Sequence, residues 1–433
     1  MQLGGWAQAA CEVLAEISDR HRPAALALQD WGKAHRFAGA RDRAAIGNLV
    51  YDVLRKRASL AFAMEDERPE ALVAAALTRL WGFKAADVIQ LFDGSKHAPQ
   101  PLPPAQAERL LTPRAEAPPD WVAGDYPDWL GEAFEANFGA FARAEGEALA
   151  ARAPIDLRVN TLKADRAKVL RALLTFGAEP TQFSPFGVRL PARQGAARSA
   201  HVEAEPGHGK GWFEVQDEGS QIAAILCSAT PRLQVADICA GAGGKTLALA
   251  ATMQNTGQIH AFDADAQRLR PMFERLKRAG VRNVQVLHPG DFSQLGRLAA
   301  AMDRVVIDAP CTGSGVWRRR PDTKWRLTPE SLKLRLGEQR GLLAQGAALV
   351  KPGGRLIYIT CSVLGAENQQ QIAGFLAANP EFRTVACSAV WRETQPTDPP
   401  ESAIAAGDML QLTPLRHGTD GFFVAVLERR PSG

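Results

Sequence analysis

Two of the six cysteines follow strand-like segments and could supply a reactive thiolate. Cys311 comes just after RVVIDAP, and Cys361 comes directly after RLIYIT. In an open α/β sheet the ligand binds at the edge formed by the carboxyl ends of the parallel strands, and both thiols are expected there. A lone cysteine is most often a small buried hydrophobe. Two of them at one ligand-binding edge favour nucleophilic chemistry, for which a local field must lower the thiol pKa.

A glycine-rich loop between a strand-like and a helix-like segment is the second feature that points to chemistry. It lies in ADICAGAGGKT, residues 236–246. Its three glycines permit positive φ and close backbone approach, and the helix that follows offers free N–H groups. The loop is therefore predicted to bind a nucleoside or phosphate ligand.

Three ligand classes compete for this loop. A dinucleotide site needs G-x-G-x-x-G, and Thr246 takes the last place. A P-loop needs G-x-x-x-x-G-K-[ST], and Cys239 takes the first place, although Asp308 could serve Mg²⁺. An S-adenosylmethionine site needs a ribose-binding acid after the second strand, and Asp263 stands 19 residues past the last glycine. The plain alternative is that Asp263 and Asp265 only cap a helix. The order of loop, strand and acid favours ligand binding.

A methyl donor and a thiolate together suit one reaction. Carbon 5 of a pyrimidine is too weak a nucleophile to take a methyl group directly, but addition of a thiolate to carbon 6 makes carbon 5 enamine-like. A base must later remove the carbon-5 proton so that the thiol can leave. A carboxyl group at the N3 edge would offset the developing charge, and Asp308 is placed to supply it. A P-loop hydrolase has no use for either cysteine.

Composition limits the classes of protein that fit. The chain has 433 residues, 46% hydrophobic and 23% charged, which excludes a disordered or collagen-like chain and suggests about three folded units. There is no apolar run of ~18 residues, no secretory leader and no C-x-x-C pair, so we predict a cytoplasmic protein without a membrane span, disulfide framework or zinc site. The net charge is only +4, so any nucleic-acid surface must be local.

The elements along the chain predict three domains and a linker. Residues 1–98 read as helical, with an apolar stripe formed by Ile46, Leu49, Val50, Val53 and Leu54. Residues 99–120 form a Pro-rich linker that should not sustain a helix. Residues 121–210 suggest a small α+β connector domain. In residues 211–433, strand patterns (LQVADI, QIHAFDA, VQVLH, RVVIDA, RLIYIT) alternate with helix patterns, which predicts a doubly wound α/β sheet.

Several of these segments together resemble one family. CAGAGGKT, DAPCTGSGVWRRRPDTKW, KPGGRLIYITCSVLGAEN and HGTDGFFVAVLER are similar to the ordered motifs of the RNA cytosine-5 methyltransferases typified by bacterial Sun/RsmB. RDRAAIGNLVYDVLRKR is similar to the NusB-like helical domain of the ribosomal members. The resemblance implies a Rossmann-like class I methyltransferase sheet, an RNA substrate, most simply 16S ribosomal RNA, and no required metal or protein partner.

The resemblance also implies roles for single residues. Cys361 would be the nucleophile, Cys311 would help release the product, and Asp308 would lie near the methyl group and the target base. Asp263 would bind the ribose of S-adenosylmethionine, and Asp291 would lie near its adenine. The remaining cofactor contacts would come from the loop residues Cys239, Ala240, Gly241, Ala242, Gly243, Gly244 and Lys245.

A basic and aromatic run next to the Cys311 motif is the candidate RNA surface. Arg318, Arg319 and Arg320 combine with Lys324 and Trp325 to offer charge for phosphates and a stacking platform. A second cluster (Arg268, Arg270, Arg275, Lys277 and Arg278) reads as an ordinary helix face. His417 and Asp420 could be turn formers or site residues.

The target cytosine is expected to be extruded or single-stranded so that a thiol can reach it. The same chemistry on transfer RNA or another ribosomal cytosine is the nearer alternative. A P-loop nucleotide hydrolase and a non-catalytic RNA-binding factor remain alternatives from other classes.

Overall fold

The structure is a computed structural model that describes residues 1–198, 200–405 and 407–431. The chain forms two compact units, and three separate stretches of sequence build each one. The helical unit comprises Met1–Ala153, Ala192–Ser199 and Val316–Leu327. The sheet unit comprises Pro154–Pro191, Ala200–Gly315 and Thr328–Gly433.

The helical unit is all-α within the described residues. The predicted apolar stripe is buried at its centre, which confirms that it faces the core. The stripe lies on one helix that ends at Arg55, and a second helix begins at Arg57, because Lys56 leaves the helical conformation at φ −111°. The helices of this unit are α1 (Leu3–Arg20), α2 (Ala24–Ala34), α3 (Ala40–Arg55), α4 (Arg57–Met64), α5 (Pro69–Arg79), α6 (Ala85–Leu91), α7 (Pro104–Leu111), α8 (Asp120–Ala123), α9 (Gly131–Phe138), α10 (Ala142–Leu149) and α17 (Pro321–Arg326).

The Pro-rich segment contains a helix that the sequence analysis did not predict. Helix α7 begins at Pro104 and ends at Leu111. Proline is tolerated in the first helical turn because its missing N–H would have no partner there. The prolines therefore mark where this helix begins, and the expectation of a segment without a helix was wrong.

The sheet unit contains a small antiparallel sheet of strand order β2-β3-β1-β4. Its buried face, built around Leu157, Val188 and Phe213, forms its own apolar cluster. Its strands are β1 (Ile155–Val159), β2 (Glu179–Pro180), β3 (Gly187–Leu190) and β4 (Phe213–Val215).

The larger sheet has the order β10-β12-β9-β8-β5-β6-β7, and β11 pairs with β12. Strands β5 to β9 pair in parallel with one another, and β12 pairs antiparallel with β9. The predicted doubly wound, Rossmann-like sheet is confirmed. The strands are β5 (Gln234–Asp237), β6 (Gln258–Ala261), β7 (Val284–Val286), β8 (Met302–Asp308), β9 (Val350–Thr360), β10 (Phe382–Val385), β11 (Leu410–Leu412) and β12 (Phe422–Arg429).

The order of this sheet fixes where a ligand can bind. The chain leaves β5 toward β6 and β7 on one side and returns to β8 and β9 on the other, so the crevice lies at the carboxyl ends of β5 and β8. The helices of this unit are α11 (Arg166–Ala172), α12 (Pro206–Gly209), α13 (Glu218–Leu226), α14 (Gly244–Thr252), α15 (Ala266–Ala279), α16 (Phe292–Gly296), α18 (Pro329–Leu349), α19 (Gln369–Ala378), α20 (Cys387–Thr394) and α21 (Pro414–His417). Among the described helices of the whole chain, none is both long and apolar enough to cross a membrane.

Candidate active site

The glycine loop, residues 239–245, joins β5 to α14. Gly241 and Gly243 take positive φ values of 50° and 84°, which favour glycine. A Cβ at Gly243 would lie 2.9 Å from the Cγ atom of Met272, so this turn has no room for a side chain. Helix α14 begins at Gly244, and the N–H groups of its first turn have no partner within the helix. The loop therefore has the backbone geometry that the sequence pattern predicted.

Asp263 supports this loop from the end of β6. Its Oδ2 atom accepts the Gly241 N–H at 3.0 Å, and its Oδ1 atom accepts the Asp265 N–H. Arg268 approaches the same carboxylate at 3.3 Å. Asp265, by contrast, caps helix α15 by accepting the Gln267 N–H, as the plain alternative predicted. Asp263 is thus bonded to the glycine loop, and Asp265 is a helix cap.

The basic face of α15 is also tied to the loop. Arg275 donates to the Ala242 carbonyl at 2.7 Å and, together with Arg278, pairs with the buried Glu214. The interpretation of this cluster as an ordinary helix face was wrong for Arg275 and Arg278, whereas Arg268, Arg270 and Lys277 are exposed. Because the partners of Arg275 and Arg278 lie on other elements, nothing in the local charge pattern separates these two arginines from solvated ones.

Asp237 is a buried carboxyl group that the sequence analysis did not single out. It ends β5, is 1% exposed, and accepts the Thr246 hydroxyl at 2.7 Å. Within the described residues its Oδ1 atom has no hydrogen-bond partner. Burial, with a smaller contribution from the charge of Asp308, raises the pKa of Asp237 to about 7. An acid that ends a strand just before a glycine loop is the signal that could have identified it.

We expect Asp237 to make stability fall with rising pH. The ordinary pKa of 3.8 applies to the unfolded chain, whereas the folded chain holds this proton up to about pH 7. Stability is therefore lost as the pH rises through 7, by about 1 kcal/mol between pH 6 and 8. In Asp237→Asn the fall in Tm between these pH values should be smaller by ~3 °C. Thermal unfolding at both pH values measures this, and Asp265→Asn, which removes an exposed carboxylate, should behave like wild type. An unchanged pH slope in Asp237→Asn would contradict the assignment.

Asp308 at the end of β8 is paired with the lysine of the glycine loop. The Lys245 ammonium donates to Asp308 Oδ2 at 2.8 Å and to Ser220 Oγ at 3.3 Å. Lys245 is 4% exposed, and its ammonium lies 5.1 Å from the centre of the Phe422 ring. Burial lowers the pKa of Lys245, but the charge and hydrogen bond of Asp308 outweigh it, so the pKa is raised. The site thus holds a buried cation against a carboxylate.

The two candidate cysteines meet at the sheet edge. Strands β8 and β9 pair in parallel up to Asp308 and Ile359, so the segments that follow them are neighbours. The sulfur atoms of Cys311 and Cys361 lie 3.4 Å apart. Both residues are half-buried, whereas the other described cysteines are buried, and all are free thiols. The structure therefore brings together the pair that the strand-end argument predicted.

The first of these thiols is held protonated. The pKa of Cys311 is raised by its hydrogen bond with Cys361, then by burial and by the negative charges of Cys361 and Glu367. Ionisation of one thiol makes ionisation of the other harder, because two adjacent thiolates repel. One sulfur can therefore act as a nucleophile while the other carries the hydrogen.

Comparison with known proteins identifies the family. Residues 224–428 match the family model of the 16S rRNA methyltransferase RsmB/F, and residues 126–195 match the ferredoxin-like domain of the same group. A probable ribosomal RNA small subunit methyltransferase B from Synechocystis is 36% identical over 312 residues, which cover 70% of this chain and 67% of the relative. The chain belongs to the RsmB/F family of rRNA methyltransferases.

Other relatives of this rRNA methyltransferase agree. The ribosomal RNA small subunit methyltransferase B of Xylella fastidiosa is 36% identical over 327 residues, which cover 75% of this chain and 71% of that protein. The fold matches that of NSun6 from Pyrococcus horikoshii with a TM-score of 0.61 and 22% identity, over 71% of this chain and 99% of that one. Family membership removes the grounds for the P-loop hydrolase and non-catalytic interpretations.

Two residues that were predicted to contact RNA, Lys324 and Trp325, bond to helix α3. Trp325 donates to the Leu54 carbonyl at 2.6 Å, and Lys324 donates to the Arg55 carbonyl at 3.0 Å. Both carbonyls belong to the last turn of α3, where helices leave acceptors unsatisfied and favour a cation. Lys324 is 1% exposed, and burial lowers its pKa to about 7. Lys324 packs inside the helical unit and has no surface for RNA, so the expectation was wrong for it, whereas the RNA contact of half-buried Trp325 stays a prediction.

The three arginines before them differ in exposure. Arg318 is buried, Arg319 is half-buried and Arg320 is exposed. The Arg318 carbonyl accepts a hydrogen bond from Arg55 at 2.8 Å, which anchors this stretch in the helical unit. Arg320 is therefore the member of the run best placed to meet a phosphate.

Asp291 and His417 have clear structural partners. Asp291 caps α16 by accepting the N–H and the hydroxyl of Ser293, and these bonds with that of Gln294 lower its pKa. His417 is buried between the Glu401 carbonyl and the Thr413 N–H, which gives it the turn-forming role. Across the described residues no cluster of three or more histidine, cysteine, aspartate and glutamate side chains could hold a metal.

Proposed function

We propose that this rRNA methyltransferase transfers a methyl group from S-adenosylmethionine to carbon 5 of a cytosine in 16S ribosomal RNA, through a bond between Cys361 and carbon 6. The observation that carries the proposal is the pair of sulfur atoms 3.4 Å apart, on segments that follow adjacent strands β8 and β9. Direct methylation of an oxygen or a ring nitrogen needs no thiol. Two thiols at this edge suit a reaction that first adds to the base and then eliminates from it.

The glycine loop fits S-adenosylmethionine. Positive φ at Gly241 and Gly243 opens the backbone to a ligand, and Asp263 fixes the Gly241 N–H. The matching structure of NSun6 was determined with SFG, an analogue of S-adenosylmethionine. When bound, S-adenosylmethionine supplies an electrophilic methyl group. We assign its ribose to Asp263, its adenine to the neighbourhood of Asp291, and its remaining contacts to the glycine loop.

The chain's own residues then account for each step. The Cys361 thiolate adds to carbon 6, which makes carbon 5 able to take the methyl group. Asp308, held by Lys245, lies at the end of the neighbouring strand and faces the charge that develops at the N3 edge. We assign Cys311 to the release step, in which a base accepts the carbon-5 proton, the electrons of that C–H bond re-form the double bond between carbons 5 and 6, and Cys361 leaves carbon 6 as a thiolate.

Product analysis tests the proposal. The protein is incubated with methyl-labelled S-adenosylmethionine and either a 16S transcript or transfer RNA, and the nucleosides are separated by mass spectrometry. We expect label in 5-methylcytidine from the 16S transcript and none from transfer RNA. Label in another nucleoside would contradict the cytosine-5 chemistry, and label from transfer RNA alone would contradict the substrate.

We also propose that Arg320 and Arg319 contact the RNA backbone. Arg320→Ala should weaken binding of a 16S transcript about threefold to tenfold and reduce the slope of log K against log salt by about 1, because one phosphate contact is lost. Filter binding at several salt concentrations measures both quantities. Arg392→Ala, at an exposed arginine of α20, is the matched control and should leave the slope unchanged. An unchanged slope for Arg320→Ala would remove this arginine from the RNA surface.

A further inference from the structure

A completely buried carboxylate connects the two cysteine segments. We define the Cys311 loop as residues 309–315 and the Cys361 loop as residues 361–364. From the Cys311 loop, Thr312 donates its N–H to Glu367 Oε1 at 2.8 Å and its hydroxyl to Oε2 at 2.6 Å. From the Cys361 loop, the Ser362 hydroxyl donates to the same Oε2 at 2.5 Å. Glu367 thus binds the residue that follows each cysteine.

Further hydrogen bonds hold the two loops in register. The Ser314 and Ser362 hydroxyls lie 2.9 Å apart, and Ser314 Oγ accepts the Val363 N–H at 2.9 Å. The Gly315 N–H donates to the Cys361 carbonyl at 3.0 Å. Glu367 is the only carboxylate that bonds to both loops among the described residues, and it is 0% exposed. Its position therefore helps to fix the distance between the two sulfur atoms.

The surroundings of Glu367 leave its charge uncompensated by a cation. Its fourth donor is the neutral Gln339 amide at 3.0 Å, and within the described residues no lysine or arginine pairs with it. Its negative charge contributes to the raised pKa of Cys311. The charge of Cys361 helps to raise the pKa of Lys245. Cys361 is therefore close enough to the buried Lys245 ammonium to interact with it. The Glu367 charge thus acts on Cys311, and the Lys245 ammonium interacts with Cys361.

We propose that Glu367 is a positioning residue that sets the spacing of the two thiols and disfavours ionisation of Cys311, so that Cys361 is the thiol that becomes the nucleophile. Two cysteines at one sheet edge are chemically alike, and their roles must be assigned by their surroundings. The carboxylate beside Cys311 disfavours a second negative charge there, and the cation of Lys245 favours it on Cys361. The inference rests on the proposed cysteine chemistry and identifies the group that decides which cysteine performs it.

Alkylation of the free protein tests this without RNA or S-adenosylmethionine. Iodoacetamide is added at pH 7.5, and the rates at the two cysteines are read separately by peptide mass spectrometry. In wild type we expect Cys361 to react at least about tenfold faster than Cys311. In Glu367→Gln, which keeps the shape but removes the charge, Cys311 should react about tenfold faster than in wild type, because a neighbouring negative charge no longer disfavours its thiolate.

Two control variants separate charge from packing. Gln411 is buried and donates to the Ser362 carbonyl at 3.3 Å without carrying a charge. Gln411→Met should lower Tm and leave the ratio of the two alkylation rates unchanged. Glu367→Asp keeps the charge and should restore the low reactivity of Cys311. A Glu367→Gln protein with the wild-type ratio and only a lower Tm would show that Glu367 merely supports the fold.

The wild-type protein alone can also overturn the inference. If Glu367→Gln does not fold, equal rates in wild type, or a faster reaction at Cys311, are sufficient to reject it. Because the assay contains no substrate, its result is independent of methyl transfer. A shifted ratio without 5-methylcytidine formation would reject the proposed function alone, and 5-methylcytidine formation without a shifted ratio would reject the role of Glu367 alone.

Discussion

Cys361→Ala is expected to abolish methyl transfer and to form no covalent protein–RNA complex, whereas Cys311→Ala should accumulate such a complex. Without the nucleophile the covalent route is closed, so the rate of methyl transfer should fall by at least about 10³-fold. Removing Cys311 leaves addition to carbon 6 and methyl transfer intact but blocks release. With a 16S transcript and S-adenosylmethionine, the complex is measured as RNA-linked protein that survives denaturing electrophoresis.

The matched control is Cys11→Ala, which removes a buried thiol from the helical unit. It should transfer methyl groups at the wild-type rate and trap no RNA. The opposite pattern, in which Cys361→Ala accumulates the complex and Cys311→Ala forms none, would exchange the two roles. If wild type transfers methyl groups and neither variant changes the rate, covalent catalysis is excluded.

Lys245→Met should lower the single-turnover rate of methyl transfer by about 10² to 10³. The buried ammonium of Lys245 donates a hydrogen bond to Asp308 at 2.8 Å, and its positive charge interacts with Cys361. A preorganised charge in a buried site contributes on this scale to transition-state stabilisation. Asp308→Asn should lower the rate by a similar factor, because it removes the carboxylate that orients the ammonium and that, in the proposed mechanism, faces the target base.

A double-mutant cycle tests whether the pair acts as a unit. If it does, the Lys245→Met, Asp308→Asn protein should be little slower than either single variant. Lys351 and Asp303 form a partly exposed ion pair away from the cysteines, and Lys351→Met should leave the rate within about twofold. Fully multiplicative losses from Lys245 and Asp308 would show that the two residues act separately.

The sequence by itself determined the fold of the sheet unit and the edge of the sheet at which the candidate site residues lie. Runs of β-branched residues such as RVVIDA and RLIYIT form the buried parallel strands β8 and β9, because only such residues fill a sheet covered on both faces. Because these strands are parallel, the residues that directly follow each strand lie at the same edge of the sheet. That rule was enough to bring Cys311, Cys361, Asp308 and the glycine loop to the same end of the sheet.

Tertiary structure alone decided what these residues bond to. Lys245 lies in the glycine loop, but its ammonium reaches Asp308, 63 residues further along the chain. Glu367 joins the Cys311 loop across 55 residues, and α17 is anchored to α3 across more than 260 residues. No local pattern distinguishes Lys324, which is buried, from Arg320, which is exposed. Sequence periodicity records which face of an element is apolar, whereas the partner of a polar side chain depends on which elements the folded chain brings within hydrogen-bonding distance.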